Sequence, residues 1–358
     1  LGETIILRVL GLIFVALGVG VAGWLAYHIL PAIGVFNALE PMLAGECRRV
    51  DVAPGTEDVE IDEASGQVFI STFERRGWYA GDIDDRPRGD IYMLDLADRT
   101  LTPKLVSQTA PDDFSPHGIS LWRGANGERR LFVVNHRNGG GEYIEFFDIS
   151  EDGALFHTES IAFDAMYSPN DVAAVGARQF YATNDRKYDS GLMGILETYG
   201  ALPLTDVVYF DGVEGRVAAQ GLAYANGVAP SLSGDELYVA EIVKRRINAY
   251  DRDPVSGALT LKGRWRVNTA PDNIDVAPDG ALWIAGHPNT NKFLAHAEDP
   301  SAVAPSHVLR LDPQTGAHED IFVSMNGEIN GSSVGAASND TLVVGAVFDG
   351  HVMVCPLT

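Results

Sequence analysis

The chain has 358 residues, with 26 basic and 49 acidic side chains and a formal charge of −23. That balance excludes the basic face a nucleic-acid partner requires, and 46% hydrophobic with 21% charged residues excludes a disordered chain. Most of the acidity serves solubility; some of it fits a surface or channel that attracts cations.

Residues 9–30, VLGLIFVALGVGVAGWLAYHIL, contain no Asp, Glu, Lys or Arg. As a helix this run would reach about 33 Å, enough to cross a bilayer. The apolar core of a cleavable signal peptide is shorter, about 7–15 residues. Trp24, Tyr27 and His28 suit an interfacial belt, and Pro31 suits a stop. Arg8 precedes the run, whereas Arg48 and Arg49 lie well beyond it, which orients the N-terminus inside. Residues 1–40 are therefore expected to form a single-pass transmembrane anchor, with residues 41–358 extracytoplasmic, either periplasmic or extracellular. Gly18, Gly20 and Gly23 would suit packing against a membrane-protein partner or a second copy in a homo-oligomer, and would equally suit lipid. The two cysteines, Cys47 and Cys355, are expected to pair in such a compartment, two separate buried thiols being the alternative.

From residue 55 a unit recurs six times. Its first segments are GTEDVEID (55–62), SPHGISLW (115–122), SPNDVAAV (168–175), YANGVAPS (224–231), APDNIDVA (270–277) and INGSSVGA (329–336). After a polar turn come the second segments QVFISTF, RLFVVNH, QFYATND, ELYVAEI, ALWIAGH and TLVVGAV. Third segments follow, from DIYMLDL to HVMVCPL, and then weaker fourth ones such as LFHTESI and LTLKGRW. No fourth segment follows the sixth unit, and ECRRVDVA (46–53), ahead of the first, is its expected donor. The fold class read from this is all-β, a six-bladed β-propeller closed by its N- and C-terminal strands and preceded by one transmembrane helix. Cys47 and Cys355 then fall on neighbouring strands of the composite blade, which favours their disulfide. Two insertions, residues 74–89 and 186–205, both follow second strands, so they should emerge on one face as walls of a site.

The first strand of a propeller blade is innermost, and its leading residues surround the axis. Here they are Glu57 and Asp58, His117, Asn170 and Asp171, Asn226, and Asp272 with Asn273. A set of oxygens with no Cys and a single His points to a hard cation, and calcium accepts such a mixture more readily than magnesium does. Any one Asn or Asp at a strand end is equally explained by bonds to local backbone. Carboxylates gathered on one axis would repel without a cation.

The strings GTEDVEI, SPHGIS, LFVVNH, NDV with FYATND, YANGV, LYVAE, DNIDV and LWIAGHP, in this order over roughly residues 46–357, resemble the paraoxonase/arylesterase family of calcium-dependent lactonases and esterases. The resemblance implies two Ca2+ ions in the channel of a six-bladed propeller. It implies Glu57, Asn170, Asn226, Asp272 and Asn273 as ligands of a catalytic ion, and Asp58, Asp171 and the carbonyl of Ile119 as part of a structural site. Paired terminal cysteines and a retained hydrophobic N-terminal segment are further family features. The family pattern gives His117 and His136 the part of a catalytic dyad and His287 a place in the pocket wall; packed histidines at blade ends are the alternative. On this reading calcium polarises a lactone or aryl-ester carbonyl, His117 takes a proton from water and His136 relays it.

Two features depart from the family. Arg186 follows TND where histidine is usual, and the 74–89 insertion, with Phe73, Trp78 and Tyr79 at its start, does not align. Both lie where specificity is set, and Phe73 is expected in the substrate pocket. The rival readings are a gluconolactonase-like sugar lactonase and a non-catalytic, membrane-tethered docking propeller. An apolar, aromatic wall favours lipophilic esters over polyhydroxylated rings. GSSVG (331–335) matches a nucleophile motif around Ser333, but that motif acts only on a strand-to-helix elbow, and here it opens a strand with no helix after it.

Overall fold

The computed structural model describes residues 8, 10–20, 22–23, 33–34, 37, 39–43, 46–80, 87–137, 140–188, 190–338 and 340–357, without the side chains of 79 and 80. Residues 10–20 are helical, with exposed apolar side chains such as Leu12 and Phe14. Among the described residues no helix is long and apolar enough to cross a membrane. Residues 9, 21 and 24–30 of the expected span lie outside the described residues.

Strand β1 (Arg48–Asp51) is followed by six runs of strands. Blade one is β2 (Thr56–Asp62), β3 (Gln67–Thr72), β4 (Asp90–Asp95) and β5 (Lys104–Leu105). Blade two is β6 (Pro116–Arg123), β7 (Arg129–His136), β8 (Glu142–Ile149) and β9 (Leu155–Ile161). Blade three is β10 (Pro169–Ala174), β11 (Phe180–Asn184), β12 (Thr205–Phe210) and β13 (Gly215–Leu222). Blade four is β14 (Ala225–Pro230), β15 (Glu236–Glu241), β16 (Arg246–Arg252) and β17 (Leu259–Arg266). Blade five is β18 (Ala270–Val276), β19 (Leu282–His287), β20 (Ser306–Leu311) and β21 (His318–Ser324). Blade six is β22 (Ser332–Ala337), β23 (Thr341–Ala346) and β24 (His351–Pro356), with β1 as its outer strand.

The closure expected from the sequence is therefore present. Arg48 to Asp51 pair antiparallel with Val354 to His351, and Cys47 and Cys355 are joined by a disulfide across that seam. The six innermost strands pack against one another in a ring, β2 against β6 and so on round to β22 against β2. Second strands such as β3, β11, β15 and β19 are buried along their whole length, so they read as apolar runs without alternation. Fourth strands are largely exposed, as in β17, which is why their sequence pattern is faint. Apolar clusters fill the gaps between blades; Phe132 and Phe146 of blade two meet Phe180 and Phe210 of blade three.

Three short helices follow second strands and lie on the face where the innermost strands begin. Helix α1 (Arg75–Ala80) belongs to the first insertion and α2 (Gly191–Tyr199) to the second. The third, α3 (Thr290–Glu298), follows β19 and was not anticipated. Its helix pattern is short, and it begins just after the HP pair that ends an apolar strand. Residues 33, 37 and 42 meet blade five on the same face: Thr290 donates its N–H to the Ile33 carbonyl, Asn37 bonds to the carbonyls of Asn268 and Pro288, and Met42 bridges to Val323.

Candidate active site in the propeller channel

One backbone device repeats on all six innermost strands. Each shifts register against its second strand near its start: Pro116 pairs with Asn135 but Ile119 with Val133, Pro169 with Asn184 but Val172 with Ala182, Ala225 with Glu241 but Val228 with Val239, and Pro271 with Gly286 but Ile274 with Ile284. The same shift isolates Glu57 in β2 and Ser333 in β22. A bulge breaks the strict alternation of a strand and re-aims side chains. The residues it frees are Glu57, His117 with Gly118, Asn170 with Asp171, Asn226 with Gly227, Asp272 with Asn273, and Ser333. Every channel-mouth residue singled out in the sequence thus lies in a bulge or, for Asp58 and Ile119, directly after one.

The two glycines in this series follow from crowding at the axis. A Cβ on Gly118 would stand 2.3 Å from Asp171 Oδ1, and one on Gly227 would stand 2.4 Å from the Asp272 carbonyl oxygen. In the sequence, HG and NG at matching offsets carry the signal for both.

The oxygens expected to hold an ion converge from four blades. Glu57, Asn170, Asn226, Asp272 and Asn273 are all buried. Glu57 Oε2, Asn170 Oδ1, Asn226 Oδ1 and Asn273 Oδ1 have no hydrogen-bond partner. The amide groups are oriented by their own N–H bonds: Asn273 Nδ2 donates to Glu57 Oε1 at 3.2 Å and Asn170 Nδ2 reaches Asp185 Oδ2 at 3.5 Å. A buried, unpaired oxygen costs about 1–3 kcal/mol, a cost that a shared cation would offset. Among the described residues no three of His, Cys, Asp and Glu gather as a metal cluster; convergence here depends on the amides. An all-oxygen set of two carboxylates and three amides fits a hard cation of calcium type.

A second layer lies directly beneath. Asp58 accepts from the N–H of Ile119 at 2.7 Å, and Asp171 accepts from the N–H of Val228 at 2.7 Å. Burial, together with Asp171 and Glu57, pushes the Asp58 carboxyl well above its ordinary range. Asp171 is driven the same way by burial, with Glu57 and Asp272 adding to it against two backbone N–H bonds. Asp272 is also raised by burial, although His287 opposes the shift. Glu57 behaves differently: burial raises it, but His117, Arg75 and Asn273 outweigh that and hold it at about 2. A cation bound among these carboxyls would favour the ionised form of each.

The dyad expected from the sequence is assembled. His117 Nδ1 and His136 Nε2 are 2.8 Å apart, and His117 Nε2 stands 3.6 Å from Glu57 Oε1. His287 is buried, with its Nε2 3.0 Å from Asp272 Oδ2 and its ring stacked on Phe293 of α3 at 3.7 Å between centroids. Phe293 in turn stacks on Phe348 at 5.7 Å. Phe73 is buried beneath the Arg75 guanidinium, 5.5 Å from its ring centroid, and so underlies the mouth. Arg186 lies beside Asp185, at 3.4 Å, and through it next to Asn170. Ser333 donates to the Glu57 carbonyl at 2.5 Å, a structural contact between blades six and one, as its place in a strand implied.

Several contributors were not read from the sequence. Buried Arg75 lies 3.9 Å from Glu57 and bonds the carbonyls of Gly55, Phe73 and Pro116. Arg76 of α1 bonds buried His296 of α3 and lies over Phe348, tying the first insertion to α3. An unaligned insertion offers no register, so neither arginine could be placed from the sequence.

Comparison with known proteins agrees with this geometry. The Arylesterase family model matches residues 49–357. Serum paraoxonase/arylesterase 1 of Mus musculus is 31% identical over 328 residues, covering 88% of this chain and 90% of that protein. The Rattus norvegicus protein of the same name is 32% identical, covering 90% and 92%. Among solved structures, a gluconolactonase from Xanthomonas campestris superposes with a TM-score of 0.54 at 18% identity, covering 89% of this chain and 91% of that one; at this identity the likeness is one of fold. The family match over nearly the whole propeller, and relatives above 30% identity along nine-tenths of it, show that the chain belongs to the paraoxonase/arylesterase family of carboxylic-ester hydrolases.

Proposed function

We propose that this chain is a calcium-dependent hydrolase of lactones and aryl esters, working through the bulged residues of the channel. The observation that carries the reading is the set of partnerless buried oxygens of Glu57, Asn170, Asn226 and Asn273 beside the His117–His136 pair. Glu57, Asn170, Asn226, Asp272 and Asn273 hold one ion; Asp58, Asp171 and the Ile119 carbonyl contribute to a second, structural one. Bound there, calcium supplies Lewis-acid polarisation of the ester carbonyl and compensates negative charge developing on its oxygen.

The chain's own residues do the rest. His117 Nε2 removes a proton from water. The water oxygen bonds to the acyl carbon while the carbonyl π pair moves onto oxygen. When that pair returns, the acyl C–O bond breaks, and the proton held by the dyad passes to the leaving oxygen. An aryl ester gives a phenol and an acid; a lactone gives one hydroxy acid. His287, held by Asp272 and Phe293, orients the wall. The Phe293–Phe348 stack favours lipophilic esters over polyhydroxylated sugar lactones.

The membrane anchor belongs to the same proposal: residues 1–40 tether an extracytoplasmic propeller comprising residues 41–358, with a membrane protein or a second copy as a possible neighbour through Gly18, Gly20 and Gly23. Two observations support it. Ile33, Asn37 and Met42 bond to the propeller on the channel-mouth face, and α2 exposes Leu192, Ile195 and Tyr199 there. The test is hydrolysis of phenyl acetate and a medium-chain lactone by detergent-solubilised protein. Turnover of both, with the lactone preferred, is expected; turnover of sugar lactones alone would overturn the substrate assignment.

A further inference from the structure

We propose that Glu142 is a positioning residue for hydrolysis, fixing the tautomers of both dyad histidines so that the bare Nε2 of His117 faces the channel. The inference rests on the hydrolase reading above. Glu142 opens β8 directly opposite His136, the last residue of β7, in the strand register. On the return, Gly140 and Gly141 have φ of 98° and 110°, a left-handed path that glycine takes without strain. Across this hairpin Glu142 Oε2 stands 2.5 Å from His136 Nδ1. The neighbouring cation, Arg137, is turned onto Glu145, Ser160 and the Tyr143 ring instead.

The consequence is a matter of counting protons. A carboxylate only accepts, so the His136 Nδ1 facing it carries hydrogen. The neutral His136 ring then presents a bare Nε2, 2.8 Å from His117 Nδ1. With both rings neutral, His117 donates from Nδ1, which leaves its own Nε2 unprotonated, 3.6 Å from Glu57 Oε1 and so outside hydrogen-bond reach of it. Glu142 therefore selects, two rings away, the tautomer able to take a proton from water. The same carboxylate compensates the imidazolium that forms when it does, as a third group orients the base in other hydrolytic constellations. Side-chain exposure rises along the chain, from 15% at His117 through 23% at His136 to 28% at Glu142, so Glu142 is the outer end of the relay.

The experiment uses the calcium-loaded full chain with 15N-labelled histidine. In the unsubstituted protein the His136 resonances should show a protonated Nδ1 and a bare Nε2. Glu142→Gln presents an amide that can donate as well as accept, so the His136 tautomers should mix. Its kcat should fall by about 10–100-fold, within the range of general-base effects, with KM changed less than about twofold. Glu142→Asp keeps the charge and should recover part of kcat. A protonated Nε2 on His136 in the unsubstituted protein, or a Glu142→Gln variant with unaltered kcat, would overturn the proposal, as would a change confined to KM. Failure of the hydrolase reading shows separately, as absence of turnover in the unsubstituted protein, while the tautomer measurement still reports on Glu142.

Discussion

Replacing both Cys47 and Cys355 by serine should weaken the seam on which the channel's geometry rests. The disulfide spans 308 residues of sequence, and the chain-entropy relation for a loop of that length gives about 5–6 kcal/mol. Other restraints on β1 are slight: of its four residues only Val50 is buried, and its outermost anchor is Arg48 bonding the carbonyls of Arg99 and Thr100. With an unfolding entropy of ~2.1 cal/mol/K per residue, a propeller of this size should lose about 8 °C in Tm. The loss should reach the site, because the neighbouring seam is where Thr56 bonds the His351 carbonyl and Ser333 bonds the Glu57 carbonyl. Circular dichroism melting of both forms, each saturated with calcium, measures the effect; paired turnover assays show whether Glu57 is disturbed. A Tm within about 1 °C of the parent would refute the reasoning, meaning that inter-blade packing alone closes the ring.

Three other outcomes are expected. His117→Gln should retain measurable activity, since a general base contributes about 10²–10⁴-fold, whereas Asn273→Ala should abolish it by removing an ion ligand; equal losses in a kcat comparison would contradict this division. Gly118→Ala places a methyl 2.3 Å from Asp171 Oδ1 and should cost about 1–3 kcal/mol, together with weaker calcium binding by calorimetry. The ion-free protein should lose stability as pH rises. Asp58, Asp171 and Asp272 all have folded-state pKa values above the ordinary 3.8, and Asp275, which lines the channel and is raised by burial, reaches about 7. The folded state therefore binds these protons more tightly than the unfolded one, so the stability that these four groups contribute is complete below about pH 4 and is lost as pH rises toward about 7; Glu57, held at about 2, works the opposite way below about pH 4. Calcium should reverse that slope, and a denaturation series across pH with and without the ion reads it directly.

The repeat was legible because inner and second strands alternate with turns at regular spacing, and the channel set because Glu57, Asn170, Asn226 and Asp272 occupy matching offsets in those repeats. The bulges were not legible. Nothing in PNDV or PDNI announces a register shift, yet the shift explains how consecutive residues such as Asn170 and Asp171 both reach the axis. Arg75, Arg76, Phe293 and His296 stayed hidden for another reason: they sit on helical connections after second strands, where neither strand period nor repeat supplies a register. Glu142 was within reach, since a histidine ending one strand and a carboxylate beginning the next across a Gly-rich return are cross-strand neighbours by construction.

The most direct test of the channel as the reacting centre is to strip the protein with a chelator, then add calcium in steps while following bound ion by calorimetry and lactone hydrolysis on the same sample. The account predicts no turnover without the ion and recovery in proportion to occupancy, with Asn226→Ala shifting both curves together. Undiminished hydrolysis in the ion-free protein would contradict it.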